Sequence, residues 1–151
     1  MENIEIYKAS SADQIRSCYK VMRQLHPNLT DEQQFVERVQ RQRAEGYQLA
    51  YCLDGEEVQG LIGFRFLEFL AWGKVMYIDD LVTDSGARKS GRGSQLLKWV
   101  IGQAKHAKCD EVHLDTGPQH NDAHRLYLNC GFKIIGFHLT LDLKSVGNEC
   151  K

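Results

Sequence analysis

Two carboxylates stand side by side in an apolar run, Asp79 and Asp80 in "VMYIDDLVT", and a basic, glycine-rich stretch follows within a few residues. An unpaired carboxylate in such a run is expensive to bury, so each needs a partner or a chemical task. Carboxylates suit the binding of a cationic amine and the removal of its proton. An alkyl ammonium with a pKa near 10.4 costs about 4 kcal/mol to deprotonate at neutral pH, so a base beside it is useful. Successive strand residues face opposite sides of a sheet, which predicts that one aspartate faces a cleft while the other is held structurally. A bulge would defeat that assignment. The bland alternative is a strand-end carboxylate satisfied by a helix cap or an arginine.

The second candidate is "VTDSGARKSGRGSQLLKWV", where Gly86, Gly91 and Gly93 are interleaved with Arg88, Lys89 and Arg92 before an amphipathic stretch. A strand, a glycine-rich turn and a helix start gather backbone N–H groups around one concavity, and the helix dipole adds partial positive charge. A phosphate or pyrophosphate is the natural guest. Gly86 to Gly91 has the outer spacing of a P-loop, but Arg92 and Gly93 stand where that motif requires Lys and Ser or Thr. Gly91 and Gly93 begin a dinucleotide fingerprint, but Leu96 occupies its third small position. Both nucleotide readings are disfavoured.

The elements that must position these residues follow from periodicity. Ile4 and Ile6 alternate as a first strand. Ser11 and Gln14 offer a capping box for a helix ended by Pro27, and Thr30 and Gln33 offer another for a helix ended by Gly46. Asp54-Gly55 and Trp72-Gly73 divide three aromatic and branched runs into an antiparallel meander. The glycine loop then leads into a helix with Leu96, Leu97, Val100, Ile101 and Ala104 on one face. "DEVHLDT" reads as a short strand, "NDAHRLYLNCG" as a short helix, and "FKIIGFHLTLDL" as a final long strand. The order β-α-α-β-β-β-α-β-α-β predicts an α/β (α+β) fold in one domain, residues 1–151, with a mixed, mostly antiparallel sheet flanked by helices.

On this frame, Arg88-Lys89-Ser90-Gly91-Arg92-Gly93 fits R/Q-x-x-G-x-G/A, and "NDAHRLYLNCGF" carries Tyr127 followed four positions on by Gly131 and then Phe132. The two motifs, in this order with one helix and one strand between them, resemble those of the GNAT superfamily of acetyl-CoA-dependent N-acetyltransferases. The likeness is close over residues 75 to 132, and element order extends it over the chain. It implies acetyl-CoA as co-substrate, its pyrophosphate held by the loop from Arg88 to Ser94 and its pantetheine arm paired with Leu81, Val82 and Thr83. It implies Tyr127 as the proton donor to the thiolate, a role that a phenol of ordinary pKa about 10 can fill while un-ionised at neutral pH. Helix packing is the other use of Tyr127, since Ala123, Leu126 and Cys130 share its stripe. Asn121, six positions before Tyr127, is a candidate cofactor contact, although the family's asparagine stands seven before. Asp79 and Asp80 are similar to the acidic pair that serves amine recognition and base function in polyamine acetyltransferases of the family.

The implied reaction is direct attack of a small-molecule primary amine on acetyl-CoA in a ternary complex. The rivals are a non-catalytic acyl-CoA-binding or regulatory module on the same fold, and transfer of a different acyl group. Trp72 is open to use as an acceptor-pocket wall, a homodimer contact or core. His124 is a candidate for assisting proton transfer or for packing.

The rest of the chain narrows the partners. Nineteen basic and twenty acidic residues nearly cancel, which argues against nucleic acid and anionic membranes as partners. No apolar run is long enough to cross a bilayer, and "MENIEIYKASS" lacks the features of a secretory signal, so a cytoplasmic location is expected. Cys18, Cys52, Cys109, Cys130 and Cys150 form no C-x-x-C pair, and the six histidines are scattered, with only His120 and His124 four positions apart and no glutamate between them. Neither a disulfide framework nor a protein-held metal is expected.

Overall fold

The capping box at Ser11 forms as its spacing predicts: the hydroxyl accepts from the Gln14 N–H at 3.1 Å, and the Gln14 side chain accepts from the Ser11 N–H at 3.0 Å. It opens α1 (Ala12–Ser17), which gives way at Cys18 to α2 (Tyr19–Leu25). The sequence predicts one helix here; a tighter turn, in which the N–H of buried Cys18 bonds to the Ile15 carbonyl, divides it. Helix α3 (Glu32–Ala44) is capped by Asp31, whose carboxylate accepts from the Gln34 N–H at 2.8 Å. The expected Thr30–Gln33 box is thus displaced by one residue, because a carboxylate suits the positive helix end better than a hydroxyl. Gly46 ends this stretch with φ +101°, a conformation that glycine adopts without steric cost.

The structure, a computed structural model, describes residues 3–145 and 147 and divides into two compact units that meet between Leu114 and Asp115. The first unit is built on a five-stranded sheet in the order β1 (Ile6–Lys8), β2 (Gln48–Asp54), β3 (Glu57–Phe69), β4 (Gly73–Thr83), β5 (Glu111–Leu114). All neighbours are antiparallel except β4 and β5. The turns fall at Asp54-Gly55 and Trp72-Gly73, as their residue types predict, and the sheet is mixed and mostly antiparallel, as expected.

Strand alternation assigns the two faces. Leu61 on β3 packs with Ile15, Val21, Met22, Phe35, Val36 and Val39 of α1 to α3. Gly60 and Phe64, on the opposite face, meet α4 (Arg92–His106): Leu96 Cδ1 lies 3.0 Å from where a Cβ on Gly60 would be, and Phe64 stands edge-on to Trp99 at 5.9 Å. Leu96, Leu97, Val100 and Ala104 are buried, while Ile101 is only half-buried. Helices therefore cover both faces of the sheet.

The second unit contains α5 (Asn121–Asn129), which leaves through Gly131 at φ +91°. Residues 132–143, expected as a final strand, enter no ladder among the described residues, and Ile134, Phe137, Leu139 and Leu143 are exposed. Alternation records a preference for extended backbone, whereas a strand also needs a neighbour to take its N–H and C=O groups.

Candidate active site

Asp79 is an extra residue in β4. Gly63 pairs with Asp80 and Phe64 with Ile78, so Asp79 has no partner on β3 and the strand bulges there. The expectation that the two aspartates face opposite sides is therefore overturned. Past the bulge the side-chain alternation is reset, and both carboxylates engage groups on the α2–α3 side. Asp79 binds the Arg65 guanidinium through Nε at 3.0 and 3.1 Å and through Nη2 at 2.6 Å, and Arg65 also donates to Gln42 of α3. Partial burial raises the Asp79 carboxyl from its ordinary value, against the opposing pull of Arg65.

Asp80 has different company. Its Oδ2 accepts from the Tyr47 hydroxyl at 2.7 Å, and its Oδ1 lies 2.5 Å from Nε2 of His26, the residue that closes α2. Tyr47 is buried at 3% exposure, and burial, followed by the Asp80 charge, pushes its phenol well above 10. It therefore stays a donor. The Arg65 guanidinium sits 5.4 Å from the centre of the Tyr47 ring, joining the two acid clusters. The space between them is full: a Cβ on Gly63 would lie on top of the Tyr47 hydroxyl, 2.6 Å from Cζ and 2.7 Å from Asp80 Oδ2. His26 and Tyr47 were not legible as site residues, because nothing local marks a histidine before proline or a tyrosine at a strand start.

Beyond the bulge, β4 opens. Its pairing with β5 covers only Val75 to Ile78, whereas its pairing with β3 continues to Thr83. Leu81, Val82 and Thr83 thus present one edge that no strand of the first unit covers, able to pair with an extended chain. A short 3₁₀ turn, Ser85–Ala87, follows, with Asp84 accepting from the Gly86 N–H at 2.9 Å and from Gln24 of α2 at 2.7 Å. Lys89 and Gly91 both take left-handed backbone, at φ +63° and +81°. Ser90 donates to the Ala87 carbonyl, which closes the turn.

Gly91 starts α4 with no side-chain cap. The N–H groups of Arg92, Gly93 and Ser94 consequently have no acceptor among the described residues. Three backbone donors thus stand together at the positive end of a fifteen-residue helix, where the sequence reading expects an anion. The Arg92 side chain turns away from it toward Asp54, at 3.6 Å, leaving its buried Nε without a partner among the described residues.

In the second unit, Tyr127 lies on α5, half-buried, edge-on to Phe132 at 5.8 Å, and burial raises its phenol above 10. Asn121 opens that helix and is exposed, and His124 Nε2 lies 2.7 Å from the Gly117 carbonyl, a structural tether. Trp72 packs against Phe69 and His113 at the start of β4, seven residues and thus about 23 Å of strand before Asp79, so it does not join the carboxylates. Burial pushes the Cys18 thiol up to about 12, which removes it as a nucleophile, and Cys150 lies outside the described residues. Among the described residues no group of three or more His, Cys, Asp or Glu is placed to hold a metal ion, and no helix is long and apolar enough to cross a membrane.

The model of the acetyltransferase (GNAT) family matches residues 11–132. The chain is 29% identical over 136 residues to an uncharacterised N-acetyltransferase of Bacillus subtilis, covering 89% of this chain and 95% of that protein. It is 35% identical over 97 residues to the aminoalkylphosphonate N-acetyltransferase of Salmonella typhimurium, covering 62% and 60%. Among solved structures, a transcriptional regulator from Bacillus halodurans matches with a TM-score of 0.81 at 26% identity over 91% of this chain and 98% of that one. Glucosamine-6-phosphate N-acetyltransferase from Arabidopsis thaliana shares the fold, with a TM-score of 0.74 at 18% identity over 94% and 99%.

Proposed function

The chain belongs to the acetyltransferase (GNAT) family and is an N-acetyltransferase, and we propose that it transfers the acetyl group of acetyl-CoA to a primary amine of a small molecule by direct attack in a ternary complex. The observation that carries this reading is the α4 cradle, with the N–H groups of Arg92, Gly93 and Ser94 unclaimed, directly after the open β4 edge. Acetyl-CoA supplies the activated acyl group. Leu81, Val82 and Thr83 would pair with its extended arm, and Arg88 to Ser94 would hold its pyrophosphate through backbone donors, with Asn121 as a further contact. A backbone N–H near Val82 would polarise the thioester carbonyl.

Asp79 is committed to Arg65, which leaves Asp80 as the carboxylate coupled to a half-exposed group. Asp80 therefore serves amine deprotonation, while Asp79, neutralised by Arg65, holds the wall beside it. Tyr127 donates a proton to the departing thiolate, its burial keeping it protonated at neutral pH. For the acceptor, α2 carries an open recess lined by Tyr19, Lys20, Arg23 and Gln24. Two relatives are named for amines bearing a phosphonate or a phosphate, a group that Lys20 and Arg23 could receive.

In this reading residues 1–151 work as one transferase domain, since the family match runs from residue 11 to 132 through both units. A cytoplasmic location and a homodimer belong to the same reading; free Cys18, Cys52, Cys109 and Cys130 suit a reducing compartment. The test is thiol release from acetyl-CoA across amines, aminoalkylphosphonates, polyamines and peptides, with competing longer acyl-CoAs in parallel. Release with a small amine and preference for acetyl support the proposal. Tight CoA binding without turnover, or preference for a longer acyl chain, overturns it.

A further inference from the structure

We infer that His26, held by Asp80, is the group that takes the proton from the acceptor amine. The inference deepens the proposed acetyl transfer and rests on it. Asp80 is poorly placed to act alone: its side chain is 13% exposed, and both oxygens are engaged, one by Tyr47 and one by His26. The His26 imidazole is 41% exposed. It bridges the buried carboxylate to the surface at the end of α2, the helix that bears the recess and contacts the cofactor loop through Gln24 and Asp84.

The local chain fixes the ring. The His26 N–H closes α2 on the Met22 carbonyl at 3.0 Å, the His26 carbonyl accepts from Leu29 at 3.0 Å, and Pro27 prevents the helix from continuing. With Nε2–H donated to Asp80, the neutral tautomer leaves Nδ1 as the acceptor. Nδ1 makes no hydrogen bond to a described residue. Asp80 of β4 and Arg38 of α3 act on its charge. Asp80 is in turn held by Tyr47, just before β2, and lies near the ion pair of Asp79 on β4 with Arg65 on β3. Asp80 favours imidazolium through its hydrogen bond, partial burial opposes it, and Arg38 opposes it more weakly.

The ammonium N–H bond breaks with its electron pair left on nitrogen, and the proton goes to His26 Nδ1. The pair forms the new C–N bond as the C–S bond breaks. Sulfur receives a proton from Tyr127, and Tyr127 is restored by a second proton leaving the same nitrogen. His26 then loses its proton to solvent through its exposed edge, so the net products are the amide, the free thiol and one proton.

The experiment compares wild type, His26→Gln, His26→Ala and Asp80→Asn on the amine that wild type turns over best, from about pH 5.5 to 9, with thermal melting as a check of folding. The inference expects kcat to fall about 10²- to 10³-fold in His26→Gln with KM little changed. It expects His26→Ala to be partly rescued by added imidazole, and the acidic limb of kcat/KM to vanish in His26→Gln. In Asp80→Asn that limb should move to lower pH, since the hydrogen bond that raises His26 is weakened. His26→Gln within threefold of wild type, with the acidic limb unchanged, overturns the inference and leaves the acetyltransferase proposal standing. Wild type without turnover on any amine overturns both.

Discussion

Gly63→Ala is the substitution that most directly probes the packing behind the site. The new methyl would fall on the Tyr47 hydroxyl, 2.6 Å from its Cζ and 2.7 Å from Asp80 Oδ2. Tyr47 cannot swing aside cheaply, because it is buried and hydrogen-bonded, and Asp80 is tied to His26. Overpacking costs about 1–3 kcal/mol, and a displaced hydrogen bond to a carboxylate about 1.5–3 kcal/mol, so the loss should be about 3 kcal/mol or more. For a chain of this size that lowers the melting temperature by about 6–12 °C. Chemical denaturation measures the loss, and CoA affinity and turnover are read on the folded fraction. Turnover should fall well beyond the loss of folded protein, with CoA affinity kept, because the loop from Arg88 to Ser94 lies elsewhere. Tyr47→Phe removes the closest clashing atom, so the double variant should be no less stable than Gly63→Ala alone. A cost below about 1 kcal/mol, or costs that simply add in the double variant, would refute the described packing of Gly63, Tyr47 and Asp80.

Other expectations follow from the same geometry. Tyr127→Phe should lower kcat about 10²-fold with KM little changed, as measured by steady-state kinetics. Gly91→Ala imposes a Cβ on left-handed backbone at φ +81°, a strain of about 1–2 kcal/mol that should disturb the first turn of α4. Calorimetry should show CoA binding weakened about tenfold. The folded protein holds His26 above its ordinary 6.5, so the stability it contributes is present below 6.5 and lost as pH rises through the folded value. The stability difference between wild type and His26→Gln should therefore shrink on going from about pH 5.5 to 9, while activity rises over the same interval.

Much of the fold was legible because its signals are local. Ser11 and Gln14 announce α1, two X-Gly turns divide the meander, and the apolar stripe from Leu96 to Ala104 gives α4 and its buried face. The glycine turn and the uncapped start of α4 were legible for the same reason, being one contiguous stretch. The misses are tertiary. The bulge at Asp79 depends on how β4 registers against β3, and it turned an expected split of the two acids into a shared face. His26 and Tyr47 lie 54 and 33 residues from Asp80, so their meeting is a property of the packed sheet and helices. Residues 132–143 show the converse, a strand-like pattern without a ladder among the described residues.

In the proposed reaction the loop before α4 holds coenzyme A so that an amine can take the acetyl group. The most direct measurement is mass spectrometry of purified protein incubated with acetyl-CoA and a panel of small primary amines, counting acetylated amine against free CoA. At least one amine should be acetylated in equal number to the CoA released, with both products falling together in Gly91→Ala at subsaturating acetyl-CoA. CoA released without acetylated amine, or no product with any amine despite tight CoA binding, would contradict it.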